Sequence, residues 1–184
     1  FSSPYSYLAS EKIEELAARH GRTVAFKPTL LGVIFRSTGG VPLTELVPPK
    51  ANYFAKDFER SARYAGVAYR HPTVFPIATV GAARAFLWLQ GQDEAMAARF
   101  LHAAFRAYFA QDRNIGEPEV IGMLAREAGA DPVAVARGAQ EPAVKEKLKS
   151  LVDESIARGV FGAPTIFVDG EMFWGNDRLP QVER

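Results

Sequence analysis

The sequence predicts an α/β fold in which a strand–helix–strand opening and a closing helix and hairpin frame a long helical block. Three observations predict it. Phe1-Ser2-Ser3-Pro4 reads as the end of a strand running into a capped helix. Apolar residues then recur every three or four positions between Phe54 and Tyr108. Finally, two short apolar runs meet at Asp169-Gly170 near the end of the chain. At 184 residues the chain is one domain, or a domain with one large insertion.

The elements follow in order. Ser3 caps the first helix with Pro4 at its first position; Leu8, Ile13, Leu16 and Ala17 mark its apolar face, and Gly21 supplies the stop. Thr23–Lys27 alternates and ends at Pro28, as a short strand would. Gly39, Gly40, Pro42, Pro48 and Pro49 break the next stretch into loops around a short helix. Phe54, Phe58, Ala62 and Ala65 then form a helical face that stops at Gly66. After a loop at His71-Pro72 and Phe75-Pro76, Val80, Ala83 and Leu87 start another helix. Asp93 caps the strongest periodic segment, carrying Ala97, Phe100, Leu101, Ala104, Phe105 and Tyr108. Further helices are expected at Val120–Ala128, after Asp131-Pro132, and through Val144, Leu148, Leu151 and Val152. Thr165–Val168 and Glu171–Trp174 close the chain as a hairpin, because Asp-Gly suits the positive φ of both central residues in a type I′ turn.

Composition excludes several functions. Twenty-two basic against 21 acidic residues leave a net charge of +1, so no global field recruits nucleic acid or an anionic membrane. No apolar run reaches the roughly 18 residues of a membrane span. Zero Cys rules out disulfides, Cys-ligated zinc, iron–sulfur clusters and any thiol chemistry by the protein's own side chains. His20, His71 and His102 lie far apart in sequence, so no metal site is expected. His102 and the Glu11/Glu14/Glu15 run read as packing and a solvated helix face.

Three short motifs can carry chemistry. A serine capping the first helix presents its hydroxyl beside free backbone N–H groups and the positive end of the helix dipole, a place that stabilises an anion. On this dipeptide alone, the cap that satisfies one backbone donor is the better explanation of Ser3. Gly162-Ala163-Pro164-Thr165 is either an ordinary strand start or a cis turn. Phe173-Trp174-Gly175-Asn176-Asp177-Arg178 offers polar acceptors and a guanidinium, or simply a helix cap.

Taken in their order and spacing, together with Lys50-Ala-Asn-Tyr-Phe-Ala-Lys-Asp-Phe-Glu-Arg60, these motifs resemble one family across the whole chain. The sequence is similar to the 2-hydroxychromene-2-carboxylate isomerases, in the kappa-class glutathione transferase branch of the DsbA-like thioredoxin superfamily. The resemblance implies a thioredoxin-like domain at 1–44 and 136–184, with an all-helical insertion at 45–135. Ser3-Pro4-Tyr5-Ser6 stands where the redox relatives carry Cys-x-x-Cys, so the thiol would arrive as glutathione. The resemblance implies that Ser3 holds the glutathione sulfur and that Pro164 is a cis-proline opposite it. It gives Ala163 backbone pairing with the cysteinyl unit, and Asn176, Asp177 and Arg178 the γ-glutamyl end. Lys50, Asn52, Tyr53 and Arg84 match positions around an aromatic substrate and its carboxylate.

The implied reaction interconverts 2-hydroxychromene-2-carboxylate and trans-o-hydroxybenzylidenepyruvate in naphthalene-type catabolism. The alternatives are a conjugating glutathione transferase and a non-catalytic binding module. A cytoplasmic homodimer with a small aromatic carboxylate as partner is implied too, without nucleic acid, membrane or metal. Two departures stand out. The family's Gly-Asn after the second strand reads Gly39-Gly40 here, removing an amide contact to glutathione. The family also has an alternating strand ahead of the Ser-Pro helix, whereas this sequence starts at that strand's last residue, Phe1. The first strand is therefore expected to be missing and the final helix at Gln181–Arg184 unfinished, leaving an unpaired strand and an apolar helix face.

Overall fold

Nearly every helix begins where a side chain or a proline prepares its first turn. The computed structural model describes residues 1–42 and 45–184; the expected boundary after residue 44 has Thr44 outside the described residues. Helices α1 (Pro4–Arg19), α3 (Pro48–Ala65), α6 (Pro118–Glu127), α7 (Pro132–Gly138) and α8 (Pro142–Ala157) all start on proline, whose missing N–H costs nothing there. Helix α2 spans Leu31–Thr38, α4 Val80–Gln92 and α5 Glu94–Phe109. Asp93 alone separates α4 from α5 and caps α5, its Oδ1 accepting from the Met96 N–H at 2.9 Å. Asp131 caps α7 through the N–H groups of Val133 and Ala134.

The α4–α5 hairpin is the centre of the core. Ala82, Ala85, Ala97, Ala104 and Ala107 are buried and let neighbouring helices approach closely, while Phe86, Phe100 and Phe109 fill the remaining space. Helix α1 packs on α5, α8 on α4, and α3 on α1. Strands β1 (Thr165–Val168) and β2 (Glu171–Trp174) pair antiparallel, with Thr165 opposite Trp174 and Val168 opposite Glu171. Asp169 at φ 51° and Gly170 at φ 92° make the predicted turn between them. A short 3₁₀ turn at Asn176–Arg178 and α9 (Leu179–Val182) end the described chain.

One expected strand is absent. Among the described residues, Thr23–Lys27 enters no ladder. A groove of about 750 Å³ is lined by this segment, by the inner face of α1 and by β1. Alternation prepares a segment for a sheet, but only a neighbour within hydrogen-bonding distance makes it a strand.

The acidic run on α1 also differs from expectation. Glu11 turns toward α5 and is mostly withdrawn from water, while Glu14 stays exposed and reaches α5 at its edge. The Arg106 guanidinium donates to both Glu11 oxygens at 2.9 and 2.8 Å, and the His102 Nε2 lies 2.6 Å from Glu14. His102 Nδ1 sits 3.7 Å from Glu11, too far for a hydrogen bond but close enough for charge attraction. Burial favours the neutral Glu11 carboxyl, but His102 and Arg106 outweigh it and hold its pKa at about 2. Glu11 and Glu14 raise the His102 pKa above its ordinary value, against the opposing effect of burial.

The signs fix a pH window for this α1–α5 link. His102 contributes fully below its unfolded pKa near 6.5, and the contribution fades as pH rises through the higher folded value. Glu11 contributes fully above 4.5, and its share is lost as pH falls toward 2. Thermal unfolding followed by circular dichroism should therefore show greatest stability between about pH 5 and 6.5. His102→Gln should flatten the decline on the alkaline side. An unchanged alkaline limb would mean that His102 carries no net stabilising charge.

Candidate active site

Three segments distant in sequence meet at the start of α1. Ser3 has extended backbone angles (φ −102°, ψ 119°) and caps the helix, its Oγ accepting from the Ser6 N–H at 3.2 Å. The same hydroxyl donates to the Ala163 carbonyl at 3.0 Å, across 160 residues of sequence. Ser3 is only 7% exposed, so both bonds lie largely out of water. The Ala163–Pro164 peptide is cis. Its loop is held further by the Thr165 hydroxyl, which donates to the Gly162 carbonyl at 2.8 Å, and by the Gly175 N–H, which donates to the Pro164 carbonyl at 3.0 Å.

Glycine is required at two points around that loop. Gly175 has φ 113°, and a β-carbon there would strike the Asp177 carboxylate. A β-carbon at Gly162 would meet the indole of Trp174, whose ring also packs edge-on against Phe161 with centroids 4.8 Å apart. Beyond Gly175, the Asn176–Arg178 turn packs against α1. The Arg178 guanidinium lies 3.4 Å from the Asp177 carboxylate, both largely exposed.

The structure thus brings Ser3, Ala163 and Pro164 together and sets Asn176, Asp177 and Arg178 beside the same helix. The other four expected residues lie on the helical side. Lys50, Asn52 and Tyr53 occupy the first two turns of α3 and are exposed. Arg84 is half-buried on α4, and its Nε is buried with no hydrogen-bond partner among the described residues. No hydrogen bond among the described residues joins these four to Ser3. The 750 Å³ groove reaches Ser3 and Pro164 but runs along the inner face of α1, and none of the four lines it.

At Gly40, the position of the lost asparagine, a β-carbon would lie 2.5 Å from the Phe35 ring. Any side chain there requires Phe35 to move. Sequence reading assigned nothing to Tyr5 or Asp57. The Tyr5 hydroxyl donates to Asp57 Oδ2 at 2.5 Å, two residues along α1 from Ser3. The available signal was Tyr5 inside the Ser-Pro-Tyr-Ser motif, but its partner is 52 residues away.

Chemically, the site joins a helix N-terminus, a buried hydroxyl and an exposed polar turn. A helix N-terminus and a hydroxyl suit an anionic sulfur. Asn176 and Asp177 offer acceptors suited to an ammonium or amide. The donor set therefore fits glutathione at its sulfur and γ-glutamyl ends, while Gly40 offers no side chain.

These features define a thioredoxin-like protein without redox cysteines. A family model described as a DSBA-like thioredoxin domain matches residues 1–184, and the chain belongs to that family. Within it, the chain is 32% identical to 2-hydroxychromene-2-carboxylate isomerase from Sphingobium xenophagum, over 100% of this chain and 92% of that protein. It is 26% identical to glutathione s-transferase kappa 2 from Caenorhabditis elegans, over 98% of this chain and 85% of the relative. A solved structure of 2-hydroxychromene-2-carboxylate isomerase superposes with a TM-score of 0.88 at 28% identity, covering 98% of this chain and 88% of the other.

Replacing Gly162 tests how tightly the loop is packed. Gly162→Ala should displace the Trp174 indole and cost about 1–3 kcal/mol, lowering the melting temperature by roughly 2–10 °C. Calorimetry checks this. A melting temperature within a degree of wild type would show that Trp174 yields freely.

Proposed function

We propose that this protein is a glutathione-dependent cis–trans isomerase that interconverts 2-hydroxychromene-2-carboxylate and trans-o-hydroxybenzylidenepyruvate in naphthalene-type aromatic catabolism. The observation that carries the reading is the buried Ser3 hydroxyl, at a helix N-terminus and beside cis-Pro164, in a chain with no cysteine. The relatives named 2-hydroxychromene-2-carboxylate isomerase, matched over 98–100% of this chain, support the isomerase part of this reading. Bound glutathione would supply a sulfur nucleophile that adds reversibly to a conjugated carbon, so that a double bond becomes a rotatable single bond and then re-forms.

The chain's residues have distinct parts in this reading. Ser3 and the first turn of α1 stabilise negative charge at the sulfur. A free thiol has a pKa of about 8.5, so a shift toward neutrality raises the ionised fraction more than tenfold. Ala163 pairs with the tripeptide's backbone, Pro164 faces α1, and Asn176, Asp177 and Arg178 hold the γ-glutamyl end. Lys50 and Arg84 neutralise the substrate carboxylate and the charge that develops on its carbonyl oxygen, as Asn52 and Tyr53 orient the ring. Helices of the insertion at 45–135 thus carry the substrate side and the thioredoxin-like part the glutathione side. A cytoplasmic location belongs to the same reading, because glutathione is abundant there, and so does a homodimer. No helix among the described residues is long and apolar enough to cross a membrane.

The kappa-class relative supports a second reading, in which the sulfur adduct is released as a conjugate. Following the absorbance of 2-hydroxychromene-2-carboxylate with and without glutathione separates the two. A glutathione-dependent approach to an equilibrium mixture supports the isomerase, whereas stoichiometric consumption of thiol supports the transferase.

Ser3→Ala is the decisive variant. Loss of the cap should cost about 1 kcal/mol of stability. Loss of a charge-assisted hydrogen bond should cut turnover roughly tenfold or more, and raising the pH should restore part of the rate. Normal turnover with an unmoved pH profile would reduce Ser3 to a helix cap.

A further inference from the structure

Helix α3 carries three of the four residues expected to meet substrate, yet its N-terminus has no side-chain cap. Lys50 and Tyr53 are exposed there. Their distance from Ser3 is set by how α3 sits on α1. That contact includes an aromatic pair: the Tyr5 and Phe58 rings meet edge-on with centroids 4.8 Å apart, and within α3 Phe54 stacks on Phe58 at 6.1 Å. Aromatic contacts hold two helices together but tolerate sliding, because dispersion and ring packing have little directional content.

One polar bond gives the contact a register. The Tyr5 hydroxyl donates to Asp57 Oδ2 at 2.5 Å, and the Ser61 hydroxyl approaches the same oxygen at 3.5 Å from the next turn of α3. It is the hydrogen bond that joins α1 to α3 among the described residues. Asp57 is four residues beyond Tyr53 and seven beyond Lys50, so the three share one helical stripe. Tyr5 is two residues from Ser3 on α1, so its bond to Asp57 links the helix end that bears Ser3 to α3. Burial and the Asp57 carboxylate both push the Tyr5 pKa up, which makes the phenol a persistent donor and a poor proton source.

We propose that the Tyr5–Asp57 pair is a positioning device that fixes the substrate-side stripe of α3 at a set distance from Ser3. The inference rests on the isomerase reading for its kinetic consequence, but its structural content stands apart from it. Tyr5 acts through α3, not on the reacting atoms. Displacement of a substrate-orienting helix by a fraction of an ångström lowers the rate while leaving glutathione binding intact.

The test uses Tyr5→Phe, which keeps the ring against Phe58, and Asp57→Asn, which keeps the volume and removes the charge. Each should lower kcat/KM for 2-hydroxychromene-2-carboxylate roughly tenfold or more. KM for glutathione and the thiolate limb of the pH profile should stay within about twofold, and the double variant should be no worse than the poorer single. Amide hydrogen exchange should quicken in α3 and stay constant in α8. Wild-type kinetics in both variants, or an equal rise in KM for glutathione, would overturn the proposal while leaving the isomerase reading in place. A wild-type protein with no glutathione-dependent turnover would instead sink that reading. Unchanged exchange in α3 of both variants would then overturn the positioning role independently.

Discussion

The hydroxyl of Ser3 makes two bonds at once, and the candidate site depends on both. As acceptor it closes the first turn of α1, and as donor it reaches the Ala163 carbonyl, 160 residues away. A capping serine needs only its lone pairs, so its proton is free for a second task. Here that proton ties the beginning of the chain to the loop before β1. The loop in turn is tied to the Asn176–Arg178 turn by the Gly175 N–H. Three segments that share no local sequence signal are thereby brought to one helix end. The α1–α5 link through Glu11, Glu14, His102 and Arg106 keeps that helix seated on the central hairpin.

How much of this was legible depended on range. Asp93, Asp131, the helix-starting prolines and Asp169-Gly170 act on their immediate neighbours, and each does in the structure what its local chemistry requires. Thr23–Lys27 failed as a strand because pairing is a property of two segments, and alternation describes only one. Glu11 reads as solvated because nothing local announces that Arg106, 95 residues away, will sit opposite; Glu14 does stay exposed, though His102 from 88 residues away meets it. Tyr5 sits within the Ser-Pro-Tyr-Ser motif without a local sign of its partner, since Asp57 looks like any exposed helical carboxylate until α3 lies on α1. The resemblance placed the candidate residues on the chain. Only the fold separates those that meet at Ser3 from Lys50, Asn52, Tyr53 and Arg84, which lie on other helices.

Gly40 shows how one departure can be absorbed. An asparagine there would need the space that the Phe35 ring occupies, so the small residue and the large ring are parts of one packing solution. The amide lost at Gly40 is therefore not regained by simple substitution; Phe35 must move as well. Another polar segment lies elsewhere: the Asn176–Arg178 turn packs on α1 and leaves Asp177 and Arg178 exposed.

The single proton of Ser3 also links two contacts that the proposed function treats separately. Turning that proton toward an anionic sulfur takes it from the Ala163 carbonyl. A carbonyl left without a donor costs up to about 1–3 kcal/mol when fully buried, and at half-buried Ala163 a part of that would offset some of the gain at sulfur. The loss is offset if the incoming ligand brings its own N–H to Ala163. A tripeptide thiol can do so, whereas a bare thiol cannot. Under the proposed function, the hydrogen bond to sulfur and the backbone pairing at Ala163 form together, and the site selects a peptide-bearing thiol over a simple one. Selectivity of this kind arises from exchange of one hydrogen-bond donor for another, with no pocket shaped to the ligand's size.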